Sequence, residues 1–235
     1  MSANLMSLAR SGGKFLKLFG DRKMMKLLPY DAEVEYLEST GTQWIDTEII
    51  PNSDYGFEIK LMKLDMTETN PLGTWEGWLV KMFGGDFKYT ANQFLGTFGS
   101  SYKEIRYNKI NNIIIEKLHH KRLTVECNGV LDYYNVFTEN FACTYSAYLF
   151  GNNVDGLAYH LGPCRIFMAQ ITDGNDFFVR DFIPVKFTNE SGETEGAMYD
   201  RIGVGGMNPD GSPREDGLYR NRGTGAFVIG PDKTT

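Results

Sequence analysis

The sequence predicts an all-β fold, a sandwich or a barrel, and three observations carry that expectation. Short runs of alternating apolar and polar residues recur along the chain with turn residues between them. Aromatic residues make up 14% of the chain, with 16 Phe and 13 Tyr, and there are 26 Gly. Aromatics suit half-buried strands and glycines suit tight turns. Helix-period stretches are nearly absent after residue 30.

Val34 to Pro51 opens the domain. Val34 and Tyr36 share one strand face and Glu33 and Glu35 the other, because strand side chains alternate. Thr42 to Thr47 is rich in β-branched and aromatic residues. Ser39-Thr40-Gly41 separates the two runs, so the stretch predicts two consecutive strands with a short connection, an opening hairpin. Tyr55, Phe57, Ile59 and Leu61 then alternate onto one face of a half-buried strand. Asp65 to Thr74 is polar and carries Pro71 and Gly73, which predicts a loop. Trp75 to Phe83 resumes strand character until Gly84-Gly85 interrupts it, and Gln93–Phe98 and Tyr102–Tyr107 form a further pair.

Farther on, 113–118 and 122–127 flank His119-His120-Lys121 as a hairpin. Asn128-Gly129 leads into Val130 to Tyr134, and Asn-Gly is the strongest short hairpin signal in the chain, since both residues tolerate positive φ. Ser146 to Phe150 is a short apolar strand ending in a loop, Gly151 to Gly156. Cys164–Ile171 and Phe177–Pro184 flank the turn Asp173 to Asp176. Ala197–Asp200 and Ala226–Ile229 are the last strands, with a long exposed loop over Gly203 to Gly225 between them.

Residues 1–30 form a segment distinct from the domain at 31–235. Arg10, Lys14, Lys17, Arg22, Lys23 and Lys26 face one acid, Asp21, and interleave with apolar residues at helix-like spacing. Gly12-Gly13 and Gly20 break this into short pieces. It lacks the uninterrupted apolar core of a signal peptide. Three readings stay open: a loosely docked tail, an anchor that docks onto a larger protein assembly through Phe15, Leu16, Phe19, Met24 and Met25, and a membrane-surface or nucleic-acid arm.

The chain's net charge of −6 argues against a general nucleic-acid binder. No stretch approaches the ~18 continuous apolar residues of a membrane span. Cys127, Cys143 and Cys164 are an odd set without CxxC or Cys/His clustering, which predicts buried reduced thiols.

Four blocks carry a resemblance: Tyr36–Thr47, Cys164–Phe187, Gly196–Asp200 and Asn221–Pro231. Together they resemble a concanavalin A-like (LamG-type) jelly-roll module of the kind found in proteins of gut bacteria and their phages. The resemblance implies a two-sheet antiparallel jelly-roll sandwich whose first and last strands lie close together, behind a short basic, partly helical N-terminal segment. Ile202 to Asp216 departs from that pattern as an insertion. Such modules often bind glycans or proteins, and many are purely structural.

Trp75, Trp78, Tyr102, Tyr107, Tyr133 and Tyr134 are the candidate glycan or partner contacts, because aromatic faces stack on apolar sugar faces. An enzymatic alternative rests on Glu33 and Glu38. Jelly-roll glycosidases place two carboxyls ~5–5.5 Å apart on one strand, and here the odd separation would need a bulge. His119, His120 and His160 have no nucleophile context. Asn152, Asn153 and Asp155, or Asp173, Asn175 and Asp176, offer the clustered oxygens calcium wants, without EF-hand spacing. The expectation is therefore no catalytic residues and no cofactor, with calcium as the alternative. The expected protein is a non-enzymatic phage virion component (head fibre, capsid decoration or tail part), homo-oligomeric, which needs no export signal because lysis releases it. A glycan-binding adhesin on a bacterial cell surface is the runner-up.

Overall fold

The computed structural model describes residues 28–65, 67, 69–76, 81–88, 93–98, 101–106, 110–202 and 216–234. They form strands β1 (Ala32–Glu33), β2 (Leu37–Thr40), β3 (Ile45–Asp46), β4 (Gly56–Lys63), β5 (Thr69–Glu76) and β6 (Lys81–Lys88). Next come β7 (Gln93–Phe98), β8 (Ser101–Arg106), β9 (Ile114–His119), β10 (Arg122–Cys127), β11 (Val130–Val136) and β12 (Tyr148–Leu149). The chain closes with β13 (Asn152–Val154), β14 (Leu157–Tyr159), β15 (Pro163–Thr172), β16 (Phe178–Thr188), β17 (Thr194–Asp200), β18 (Leu218–Tyr219) and β19 (Val228–Ile229).

These strands make two sheets and no helix among the described residues. The larger runs β11-β10-β9-β4-β15-β16-β17-β18, with β1 on β16, β2 on β15 and β19 on β2. The smaller runs β14-β13-β5-β6-β7-β8, with β12 on β5 and β3 on β12. All pairings are antiparallel except β13 with β5. The expected all-β sandwich is what the chain forms, and β19 on β2 together with the Val34–Asp232 bridge brings its opening and closing stretches together.

The core lies between the sheets. Phe57, Ile59 and Leu61 of β4, Val125 of β10 and Ile166 and Ile171 of β15 meet Ile45, Leu72, Phe83 and Leu149 of the smaller sheet, all within 2% of complete burial. Phe57 and Phe83 pack edge to face, centroids 5.3 Å apart. A smaller cluster of Ile183, Val185, Phe187, Ala197 and Leu218 forms around β16 and β17, with Tyr30 and Tyr199 against it. All three cysteines are free and buried, as expected, and burial pushes the Cys164 thiol up to about 12.

Several expectations need correction. The two strands of the opening stretch do not form a hairpin: β2 joins the larger sheet and β3 the smaller. The buried Gln43 side chain fixes this crossing. Its Oε1 accepts the Thr40 N–H at 2.8 Å, and its Nε2 donates to the Thr224 and Ala226 carbonyls at 3.2 and 3.1 Å. Most of the expected loop at Asp65 to Thr74 belongs to β5. Pro71, which has no N–H to offer, sits in a register shift between Thr69 and Leu72 where the ladder is interrupted anyway. Gly84 and Gly85 lie inside β6 instead of breaking it. At Gly84, φ is +118° and an added Cβ would come within 2.0 Å of the Leu72 carbonyl oxygen, so the strands close up only on glycine. The expected loop at Gly151 to Gly156 contains β13 and its turn into β14. Of the expected long loop, 216–225 are described and include β18, while 203–215 are not.

Candidate functional site

Two loops meet at one end of the larger sheet. β9 and β10 are joined by His120 and Lys121, whose φ angles of 46° and 63° suit the primed turn of a tight hairpin. β15 and β16 are joined by a loop closed by a bond from the Asp173 N–H to the Phe177 carbonyl, 2.9 Å. Inside that loop, Asp173 Oδ1 accepts the N–H groups of Asn175 and Phe177 at 2.8 and 3.0 Å. Asp176, at φ 64°, keeps its side chain about half exposed.

Only β4 separates β9 from β15, so the loops stand about 10 Å apart at backbone level, two strand spacings. Gly56 begins β4 at that place. A Cβ there would fall 2.6 Å from the Leu118 carbonyl oxygen and 2.8 Å from Thr172 Oγ1, so the close approach of β9 and β15 depends on its absence.

Across this gap Asp176 Oδ1 lies 2.9 Å from His119 Nε2, and Oδ2 lies 3.1 Å from His120 Nε2. Consecutive strand residues ordinarily point to opposite faces. The left-handed backbone at His120 brings both rings to one carboxylate, their centroids 4.1 Å apart. Among the described residues these three are the group of His, Cys, Asp and Glu whose ligand atoms converge, all within 4.8 Å of one another. An open cleft of about 450 Å³ adjoins them, lined by His120, Lys121, residues 52–55 and residues 173–175.

The aromatic candidates are dispersed. Trp75, on β5, packs its indole on the His160 ring at 5.0 Å, and its Nε1 is buried with no partner among the described residues. Tyr145, Leu157 and Tyr159 are exposed near it, around the β13–β14 turn. Tyr133 and Tyr134 lie on β11, the edge of the other sheet, so they share no platform with Trp75. Burial pushes the Tyr133 phenol up, consistent with a ring packed against the core, whereas Tyr134 is exposed. Trp78 and Tyr107 lie outside the described residues, as do Phe15, Leu16, Phe19, Met24 and Met25; Tyr102 is on β8, with its side chain outside the description.

The carboxylates considered for catalysis are engaged elsewhere. Glu38 Oε2 accepts from Arg165 Nε at 2.6 Å, and Glu33 faces Lys233 at 3.6 Å. Of the oxygen-rich sets, Asn153 bonds Gly156 N–H and the Ser146 carbonyl. Asp173 turns into its own loop, which leaves Asp176 reaching outward. The pairing of Asp176 with His119 and His120 was not legible in the sequence, where each loop reads as a separate turn.

No protein family matches the chain, and no curated protein does either. Among solved structures, the mouse laminin alpha1 chain, domains LG4-5, is similar at 8% identity with a TM-score of 0.40. The likeness covers 69% of this chain and 50% of that one, so the chain spans about half the length of that structure. The class defined by the chain's own strand order is a two-sheet β-sandwich, antiparallel except where β13 meets β5.

Proposed function

We propose that the chain is a non-enzymatic display module of a phage particle, a head fibre, capsid decoration or tail component, docked to other virion proteins through residues 1–30. The observation that carries this reading is the polarity of the sandwich. The N-terminal segment enters beside Lys186, where the Asp31 N–H bonds the Lys186 carbonyl at 2.8 Å, and Lys233 reaches Glu33 at the same end. The loop pair at Asp176 sits at the other end of β16, roughly 25 Å away along the strand. A segment docked at one end leaves the other end outward. Homo-oligomerisation belongs to the same reading, and exposed Val130, Leu131, Tyr134 and Val136 on edge strand β11 support it.

The test compares the full chain with a variant lacking residues 1–27 for co-sedimentation with purified particles. Retention of the full chain and loss of the variant is the expected result. Equal behaviour of the two removes the anchor from the reading.

A second reading, a glycan-binding adhesin on a bacterial cell surface, is favoured by the surface around Trp75. There the Trp75 indole packs on His160, whose ring in turn faces the exposed Tyr159, and such aromatic faces suit the apolar face of a sugar. Glycan-array binding lost in Tyr159→Ala, without particle association, selects this reading over the first.

A further inference from the structure

We infer that His119, His120 and Asp176 form a binding site for one divalent transition-metal ion of the zinc class, bridging the β9–β10 and β15–β16 turns. The donor set decides the class of ion. Two imidazole nitrogens and one carboxylate oxygen suit Zn²⁺ and its neighbours, whereas calcium and magnesium prefer shells made of oxygen alone. The geometry needs movement of exposed side chains alone. Ligands of a tetrahedral zinc at ~2.0–2.2 Å stand about 3.3–3.5 Å from one another. The two imidazole–carboxylate contacts here, to different oxygens, are 2.9 and 3.1 Å and all three donors lie within 4.8 Å of one another, so the half-exposed side chains have to part at those contacts and close up elsewhere. Each Nε2 already lies beside an oxygen of the same carboxylate, so the three donors stand around one spot that an ion could enter.

Three protein ligands leave a fourth position open. All three side chains are about half exposed, so that position is available to water or to an acceptor entering the cleft that His120 also lines. The ion would also tie together two loops 56 residues apart in sequence, which are otherwise joined at this point by the two imidazole–carboxylate contacts. The site stands on these residues alone and is independent of the display reading.

The experiment uses the full chain carrying no polyhistidine tag, titrated with ZnCl₂ alone by calorimetry and with CoCl₂ by visible absorption. The expected result is one ion per chain, with tetrahedral Co²⁺ bands, and at least tenfold weaker binding in His119→Gln/His120→Gln and in Asp176→Asn. The chain has three histidines, so His160→Gln serves as the control and is expected to bind as the parent does. Circular dichroism confirms that each variant is folded; the substitutions are at exposed turns, and any unfolded variant is replaced by Asp176→Ser. Three results overturn the inference: no zinc binding at 100-fold molar excess, unchanged binding in the folded double variant, or displacement of zinc by equimolar calcium.

Discussion

Asp200, at the end of β17, is 1% exposed, and its environment pulls its ionisation in two directions. Desolvation raises its pKa from the ordinary 3.8. The N–H groups of Asp181 and Ile202, at 2.9 and 3.1 Å from Oδ1, and the Arg180 guanidinium, 3.8 Å from Oδ2, pull it down. The net direction is upward, so the folded chain holds this proton to higher pH than the unfolded chain does. Stability from this group is then fully present below 3.8 and is lost as pH rises through the folded value. Asp200→Asn keeps an Oδ1 acceptor and removes the charge. Arg180 retains its bonds to the Thr47 and Val179 carbonyls and its stacking on Tyr219. Urea unfolding of the two proteins from pH 3 to 7 should show the parent losing stability relative to the variant as pH rises above about 4. Parallel profiles would mean that burial does not govern this carboxyl. At this same scale, His119, His120 and Asp176 are all visible in the sequence as turn residues. Their convergence is not, because left-handed backbone at His120 and Asp176 sets the direction of the side chains, and alternation alone predicts the opposite for adjacent histidines.

Hairpins closed by local turn chemistry were legible, and pairings between distant segments were not. Asn128-Gly129 sets the β10–β11 turn with φ angles of 51° and 78°, and the β9–β10 and β15–β16 hairpins fall where alternation places them. β5 was hidden because Asn70, Pro71 and Gly73 are turn residues by composition. Two of their acceptors are used inside the fold, where Asn70 Oδ1 accepts the Leu72 N–H and the Pro71 carbonyl accepts the Phe150 N–H. β2 and β3 look like a hairpin locally, but their partners lie far along the chain at β15, β19 and β12, which no local signal encodes. Gly56 tests how far one residue controls the meeting of two such elements. Gly56→Ala drives a methyl into the Leu118 carbonyl and Thr172 Oγ1, so β9 or β15 must move away from β4. The expected cost is about 1–3 kcal/mol in urea unfolding, with shifted His119 and His120 imidazole resonances. A stable variant with unmoved imidazole signals would show that the spacing of the two loops is set elsewhere.

On the scale of the whole molecule, composition and strand spacing pointed to β structure with a sandwich and a barrel both open, and the two-sheet form came only with the jelly-roll resemblance. Which strand belongs to which layer depends on contacts that form only when the layers close. Phe57 of β4 and Phe83 of β6 are such a contact, one ring from each sheet, 2% and 0% exposed, at 73° to each other. If the two sheets fold as one unit, their unfolding is a single transition and the two rings report on each other. Phe57→Leu and Phe83→Leu should each lower stability, and the double variant should lose less than the sum. The difference is about 0.5–1.5 kcal/mol, the worth of an edge-to-face pair beyond its buried area. Guanidinium unfolding followed by tryptophan fluorescence and by far-ultraviolet circular dichroism should give coincident curves for the parent and all three variants. A coupling energy near zero together with two separated transitions would mean that each sheet holds its own core, and that the shared interior contributes little to keeping the Asp176 end of the sandwich in place.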